Sequence, residues 1–292
     1  MQALVTDMPE FLMRRETPPR TVDNGAWPSE VTRPLDVQGS RFDRIKALSE
    51  RPSLRLVPGR PLAGGAIHVN TLEIEGDAIV TNGEPLLIEA VGLRSSGGSI
   101  RAFVGPSAKA SEGQPGRAGG QVTLIVHDRV VGRLVVDLSG QAGGDGQSGR
   151  AGGQGAPGAQ GDNAASGLFD CKRGPGRGHD GQRGGKGENG QDGMPGGAGG
   201  VLTLAGPKPS ELERSISAVL QGGTGGAAGQ GGPGGPGGPG GPGGGSSGLC
   251  TGSGPQGAPG PSGEPGTPGG KGAAGANGRV VLVATDARGE LP

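Results

Sequence analysis

Gly140-Gln141-Ala142-Gly143-Gly144-Asp145-Gly146-Gln147-Ser148-Gly149 opens a stretch in which glycine returns at every third residue as far as Gly161. The same frame recurs from Gly178 to Gly199, from Gly223 to Gly244 and from Gly254 to Gly278. The first three runs each hold eight in-frame glycines and the fourth holds nine. Three residues per turn is the period of the polyproline-II helix, which rises about 3.1 Å per residue. Glycine in every third place bares one ridge of such a helix, and a bare ridge lets two backbones approach closely. A flexible glycine linker has no reason to keep frame, so the unbroken register argues for packed rods.

Two architectures use such a ridge. One is the collagen triple helix, with glycine at its axis. The other is a bundle folded from one chain, polyglycine II, in which neighbouring rods exchange backbone N–H···O bonds. The flanking sequence favours the second. Leu134, Val136 and Leu138 alternate like a strand before the first run, and Val201-Leu202-Thr203-Leu204 follows the second. Ile216 to Leu220 precede the third run, and Val280-Val281-Leu282-Val283 follow the fourth. Each pair of runs is then a long hairpin on a β base, with both turns at the far end. Eight triplets would stand roughly 70 Å from that base. The third run repeats Gly-Gly-Pro between Gly231 and Pro242. Two bare ridges let it touch more neighbours, which places it most centrally.

Glycine (70) and proline (26) make up about a third of the 292 residues, a collagen-like or low-complexity composition. Hydrophobic residues are 30%, too few for a large conventional core. Lys+Arg and Asp+Glu are both 27, so no basic excess favours nucleic acid. No apolar segment approaches the ~18 residues of a membrane span. Met1 to Asp7 lack a basic stretch followed by an apolar one, so no secretory signal is expected. Residence inside the cell, in a particle, or export by a non-classical route follows from that reading.

Residues 1–60 read as an extended N-terminal arm. They hold Phe11, Trp27 and Phe42, three of the five aromatics, and prolines at 18, 19, 28, 34 and 52. Arg41 to Glu50 suit one short helix with Phe42, Ile45 and Leu48 on a common side. The arm docks either on the base of the same molecule or on a larger assembly. Residues 61–139 form the β base, completed by strands near 201–221 and 279–285. Within it, Ile67/Val69 and Leu72/Ile74 recur nineteen residues later as Leu86/Ile88 and Val91/Leu93, with Ile79 and Ile100 a looser pair. That period suggests a parallel solenoid; a small sandwich is the alternative. Ser210-Glu211-Leu212-Glu213 has the form of a capping box. The fold class expected is mainly β with a polyglycine-II/polyproline-II bundle: a short β-solenoid-like base carrying four long antiparallel glycine-rich helices. The hairpins span 140–200 and 222–278.

The only two cysteines, Cys171 and Cys250, fall one in each hairpin turn. They are a candidate disulfide clamping the tips; two free thiols are the alternative. His179 and Asp180 lie near the same end, but the spacing matches no zinc motif, so no metal and no cofactor are assigned. Leu168, Phe169 and Leu249 are apolar groups at the end of a hydrophilic rod. They either make a contact surface or close the bundle on each other. His68 and His127 sit in predicted strands and read as structural, not as bases. No nucleophile has a recognisable partner, and G-x-x-x-x-G-K-[ST] is absent, so no enzyme is expected.

The triplets Gly254-Pro255-Gln256-Gly257-Ala258-Pro259-Gly260-Pro261-Ser262-Gly263-Glu264-Pro265-Gly266-Thr267-Pro268 resemble bacterial collagen-like proteins. Glycine-rich rods mounted on β structure also resemble polyglycine-II proteins, among them the tail-fibre tip adhesins of some phages and a glycine-rich antifreeze protein. The resemblance implies a non-enzymatic structural or adhesive protein with a stiff stalk and an unknown protein or surface receptor at its tip. Collagen-type trimerisation and ice binding are the alternatives it carries.

Overall fold

The computed structural model describes residues 18–22, 26–58, 62–286 and 291. Phe11 lies outside them. The strands are β1 (Arg20–Val22), β2 (Leu54–Leu56), β3 (Gly65–Val80), β4 (Leu86–Arg101), β5 (Gln121–Gly132), β6 (Leu134–Asp137), β7 (Ala165–Ser166), β8 (Cys171–Arg173), β9 (Val201–Gly206), β10 (Ile216–Val219) and β11 (Arg279–Ala284). The helices are α1 (Ser29–Thr32), α2 (Arg41–Ser49) and α3 (Pro209–Arg214).

All strands but β7 and β8 join one nine-stranded parallel sheet. The sheet folds into three ladders. Ile67, Ile88, Leu124, Leu204 and Leu282 lie side by side in the first. Leu54, Leu72, Leu93 and Val130 do so in the second. Leu62, Ile79, Ile100, Val136 and Ala218 form the third. Apart from Leu282 and Ala218, which are exposed at the last strands, the apolar files meet inside as one core. Burial of alternate positions explains why Val, Ile and Leu alternate with polar residues along each strand. Ile79 and Ile100 are true neighbours. Ile67, however, stacks on Ile88 and not on Leu86, and Leu72 stacks on Leu93 and not on Val91. The coil is longer than the nineteen-residue spacing because the corner residues between strands are irregular and carry no apolar signal.

The expected fold class needs correction. The regular structure is a parallel sheet of nine strands with three short helices, and four long antiparallel glycine-rich helices are not seen. The reason lies in where the glycine-run amides bond. Their hydrogen bonds cross sideways to another run, as Gly152 N–H does to the Pro233 carbonyl (2.9 Å) and Gly184 N–H to Pro261 (3.0 Å). The runs carry no bond ladder within a segment and are neither helix nor strand; they are extended connections between the strands of the sheet, tied sideways to one another.

The sideways bonds fix how the four runs lie. The second antiparallels the first, with Gly185 N–H on Gly153 (2.7 Å) and Gln182 N–H on Ala156 (2.9 Å). The third parallels the first and the fourth parallels the second. The third run also donates to the second, through Gly235 N–H on Gly185 (2.9 Å), and accepts from the fourth, through Gly263 N–H on Gly235 (2.8 Å). The third run therefore touches all three others, and so does the second. A methyl group on Gly232 would meet the Arg150 carbonyl, and one on Gly231 the Gly266 carbonyl. Both glycines of the Gly-Gly-Pro triplets are thus used, one against each neighbour.

The runs leave and re-enter the sheet at one place. Every passage from the third ladder to the first contains an insertion, short in the earlier coils and long in the last two. It is the turn 81–85, then 102–120, then the first two runs, then the last two. Asn82 takes a left-handed φ of 53° to make the shortest of these.

The N-terminal arm is not extended throughout. It contributes β1, β2, α1 and α2 to the base of the same molecule. Trp27 packs against the core and Val31 of α1 is fully buried. The helix expected at Arg41 is α2, capped by Ser40 and Asp43, whose side chain and backbone bonds are reciprocal. Those bonds from Ser40 hold the Asp43 carboxyl below its usual range. The buried side of α2 is Arg44 and Leu48, while Phe42 is half exposed. The capping box at Ser210 is not formed. α3 begins one residue earlier at Pro209 behind Lys208, because proline suits a first helical turn without needing a cap.

Candidate functional site

At the far end each hairpin closes differently. Beyond Gly161 the first makes a small antiparallel β7–β8 hairpin, with Ser166 opposite Cys171 and Gly167 N–H donating to the Asp170 carbonyl (2.7 Å). Leu168 and Phe169 occupy its turn. The second closes through Ser247 and Cys250, which exchange main-chain bonds of 3.1 and 3.0 Å. Gly248 sits inside that turn at φ +53°, a conformation that favours glycine. Leu249 follows it.

The two cysteines are bonded as a disulfide, with their Cα atoms 5.0 Å apart. Cys250 is buried beneath the turn and Cys171 faces solvent. The three apolar residues are displayed. Leu168 is 86% exposed, Phe169 88% and Leu249 59%. They do not close the bundle by packing on each other. Charged groups are exposed toward the same end: Arg173 pairs with Asp162 (3.5 Å) and Arg177 with Asp180 (3.1 Å), while Asp170 and Lys172 are exposed. Such exposed pairs contribute little to stability, but they leave the apolar groups as the distinctive feature of the surface.

His179 and Asp180 take no part in a metal arrangement with the sulfurs, which are bonded to each other. Asp180 instead accepts from the Ala258 N–H (2.7 Å). It belongs to a set of side chains that tie parallel runs together. Asp145 accepts from Ala227 N–H (2.8 Å), Asn189 from Thr267 N–H (3.0 Å) and Asp192 from Gly270 N–H (2.6 Å). Lys109, 2.7 Å from the Asp145 carboxylate, and that Ala227 bond hold the Asp145 carboxyl below its usual range. Triplet repeats can slip by three residues at little cost, and these bonds specify one register. Among the described residues no group of three or more His, Cys, Asp or Glu is arranged to hold a metal ion, and no helix is long and apolar enough to cross a membrane.

A second polar cluster lies in the base. Glu89 points outward from the first ladder beneath α2 and is buried. Arg44 grips its two oxygens at 2.5 and 3.0 Å. His68 Nδ1 lies 2.8 Å and His127 Nε2 2.9 Å from the same carboxylate. Burial alone would raise the Glu89 carboxyl, but bonds from His127, His68 and Arg44 outweigh it and hold the group far below the usual carboxylate range. An ionised carboxylate only accepts, so both facing imidazole nitrogens carry protons. The other His127 nitrogen is buried without a partner. Both histidines lie in strands, His68 in β3 and His127 in β5, and bond to the buried carboxylate. The cluster itself was not foreseen, and its one signal is a glutamate inside Leu86-Leu87-Ile88-Glu89-Ala90-Val91.

A scan of protein-family models and a search of curated proteins find no match to this chain.

Proposed function

We propose that the chain is a non-enzymatic structural or adhesive protein whose β base carries a stiff glycine-rich stalk, with the displayed tip as its contact surface. The observation that carries this is the exposure of Leu168, Phe169 and Leu249 together at the end of an otherwise hydrophilic stalk. Three large apolar groups held in water on a bridged pair of turns mark a surface made to be covered. The stalk supplies reach and rigidity, since its runs are cross-bonded along their length. The partner is a protein or another surface receptor.

The test is a screen of immobilised proteins and glycans with the full chain and with Phe169→Ser/Leu249→Ser. The exposed positions make the variant neutral to folding within about 0.5 kcal/mol. Ligands that hold the native chain are expected to lose the variant at least about tenfold, the loss of roughly 1.4 kcal/mol of apolar contact. Ligands that retain both equally would refute a role for the tip.

A further inference from the structure

The sideways bonds between the hairpins end just short of the turns. Ala164 N–H donates to the Gly245 carbonyl (2.9 Å) and Gly245 N–H to Asn163 Oδ1 (2.7 Å). Past that point the main-chain bonds stay within each turn: Gly167 to Asp170 in the first, Ser247 with Cys250 in the second; across the turns, Cys250 Sγ lies 3.4 Å from the Ala165 carbonyl oxygen and 3.6 Å from that of Arg173. The covalent link between the turns is the bridge from Cys171 to Cys250. Leu249 adjoins one end of it, and Phe169 lies two positions from the other.

We propose that this bridge is a redox-sensitive clasp. Oxidised, it holds Leu168, Phe169 and Leu249 as one surface. Reduced by a dithiol, it lets the two turns part while the stalk stays bonded. The consequence for binding rests on the tip being the contact surface; the clasp itself does not.

The geometry sets the direction of attack. Cys171 is exposed and Cys250 only 2% exposed, so an incoming thiolate reaches the Cys171 sulfur. A bond forms from the reductant to that sulfur, the Cys171–Cys250 bond breaks, and Cys250 leaves as a thiolate that takes up a proton. The reductant's second thiol then displaces Cys171 from the mixed disulfide. Two protein thiols and one oxidised, cyclic dithiol result. The stalk survives because its bonds do not depend on the bridge. The 79-residue separation overstates the effect. In the chain-entropy model a loop that long contributes about 4 kcal/mol, but here the bonded runs have already brought the ends together.

The experiment treats the full chain with dithiothreitol under native conditions, counts thiols by alkylation and mass, and follows amide exchange by peptide. Two new thiols are expected, with exchange in peptides covering 164–176 and 246–253 rising about tenfold or more. Amides at 143–158 and 226–241 should stay within about twofold. Cys171→Ser/Cys250→Ser should reproduce the reduced pattern without reductant. Resistance of the bridge to native reduction, an unchanged tip, or a stalk that opens with the tip would each overturn the clasp. The Phe169→Ser/Leu249→Ser comparison, made on the oxidised chain, judges the contact surface separately.

Discussion

At the residue scale the stalk depends on missing methyl groups. A Cβ built on Gly235 would sit 2.0 Å from the Gly153 carbonyl oxygen, and one on Gly152 2.0 Å from that of Gly185. Both obstacles are backbone and cannot swing aside. Gly153, out of frame, has nothing within 4 Å of such a carbon. Gly235→Ala is expected to destabilise the stalk by about 3 kcal/mol, at the upper end of overpacking. Gly153→Ala should stay within about 0.5 kcal/mol. Urea unfolding of the two variants decides between frame and composition. Equal effects would mean that glycine content, not position, matters. This rule was legible in the sequence, because a three-residue period is visible without knowing the fold. The Glu89 cluster was not: its four members are drawn from α2 and three strands, and no local pattern links Arg44 to His127.

The element scale shows how α2 is held. Its amphipathic pattern suggested Phe42, Ile45 and Leu48 as the docking side, yet the helix turns Arg44 inward. The sheet offers it a buried carboxylate, and a helix pattern cannot reveal what waits opposite. Removing one member of a buried pair costs roughly 3–5 kcal/mol, so Glu89→Gln should loosen α2 by that order. Acid should do the same. The folded Glu89 carboxyl titrates far below its ordinary value of 4.5. Its contribution is therefore fully present above that value and is lost as pH falls below it toward the folded one. Proteolysis of the 26–58 segment is expected to accelerate below about pH 4 in the native chain. In Glu89→Gln it should be fast already at pH 7 and change less on acidification. Unchanged cleavage in the variant at pH 7 would show that Leu48 and the cap hold α2 without the ion pair.

On the scale of the whole molecule, base and stalk are one construction. The third-to-first corner of the sheet holds the turn at 81–85, then the 102–120 segment, then the long excursions 138–200 and 220–278. Parallel strands keep β9 beside β5 and β11 beside β9, so the hairpins leave in the same direction and must lie against one another. The alternation of strands and glycine runs along the chain was readable from sequence. The common corner was not, because it depends on the register of strands separated by whole excursions. The helical expectation failed because the runs form no regular helix: their amides bond to other runs, tens of residues away, as extended connections between strands. The most direct measurement is amide exchange at Gly152, Gly184, Gly235 and Gly263 in the 28.4 kDa chain at low concentration. Bonds between runs of one chain should protect these amides at least about a hundredfold, independently of dilution. Exchange at the rate of unstructured peptide, or protection that vanishes on dilution, would contradict the single-chain stalk.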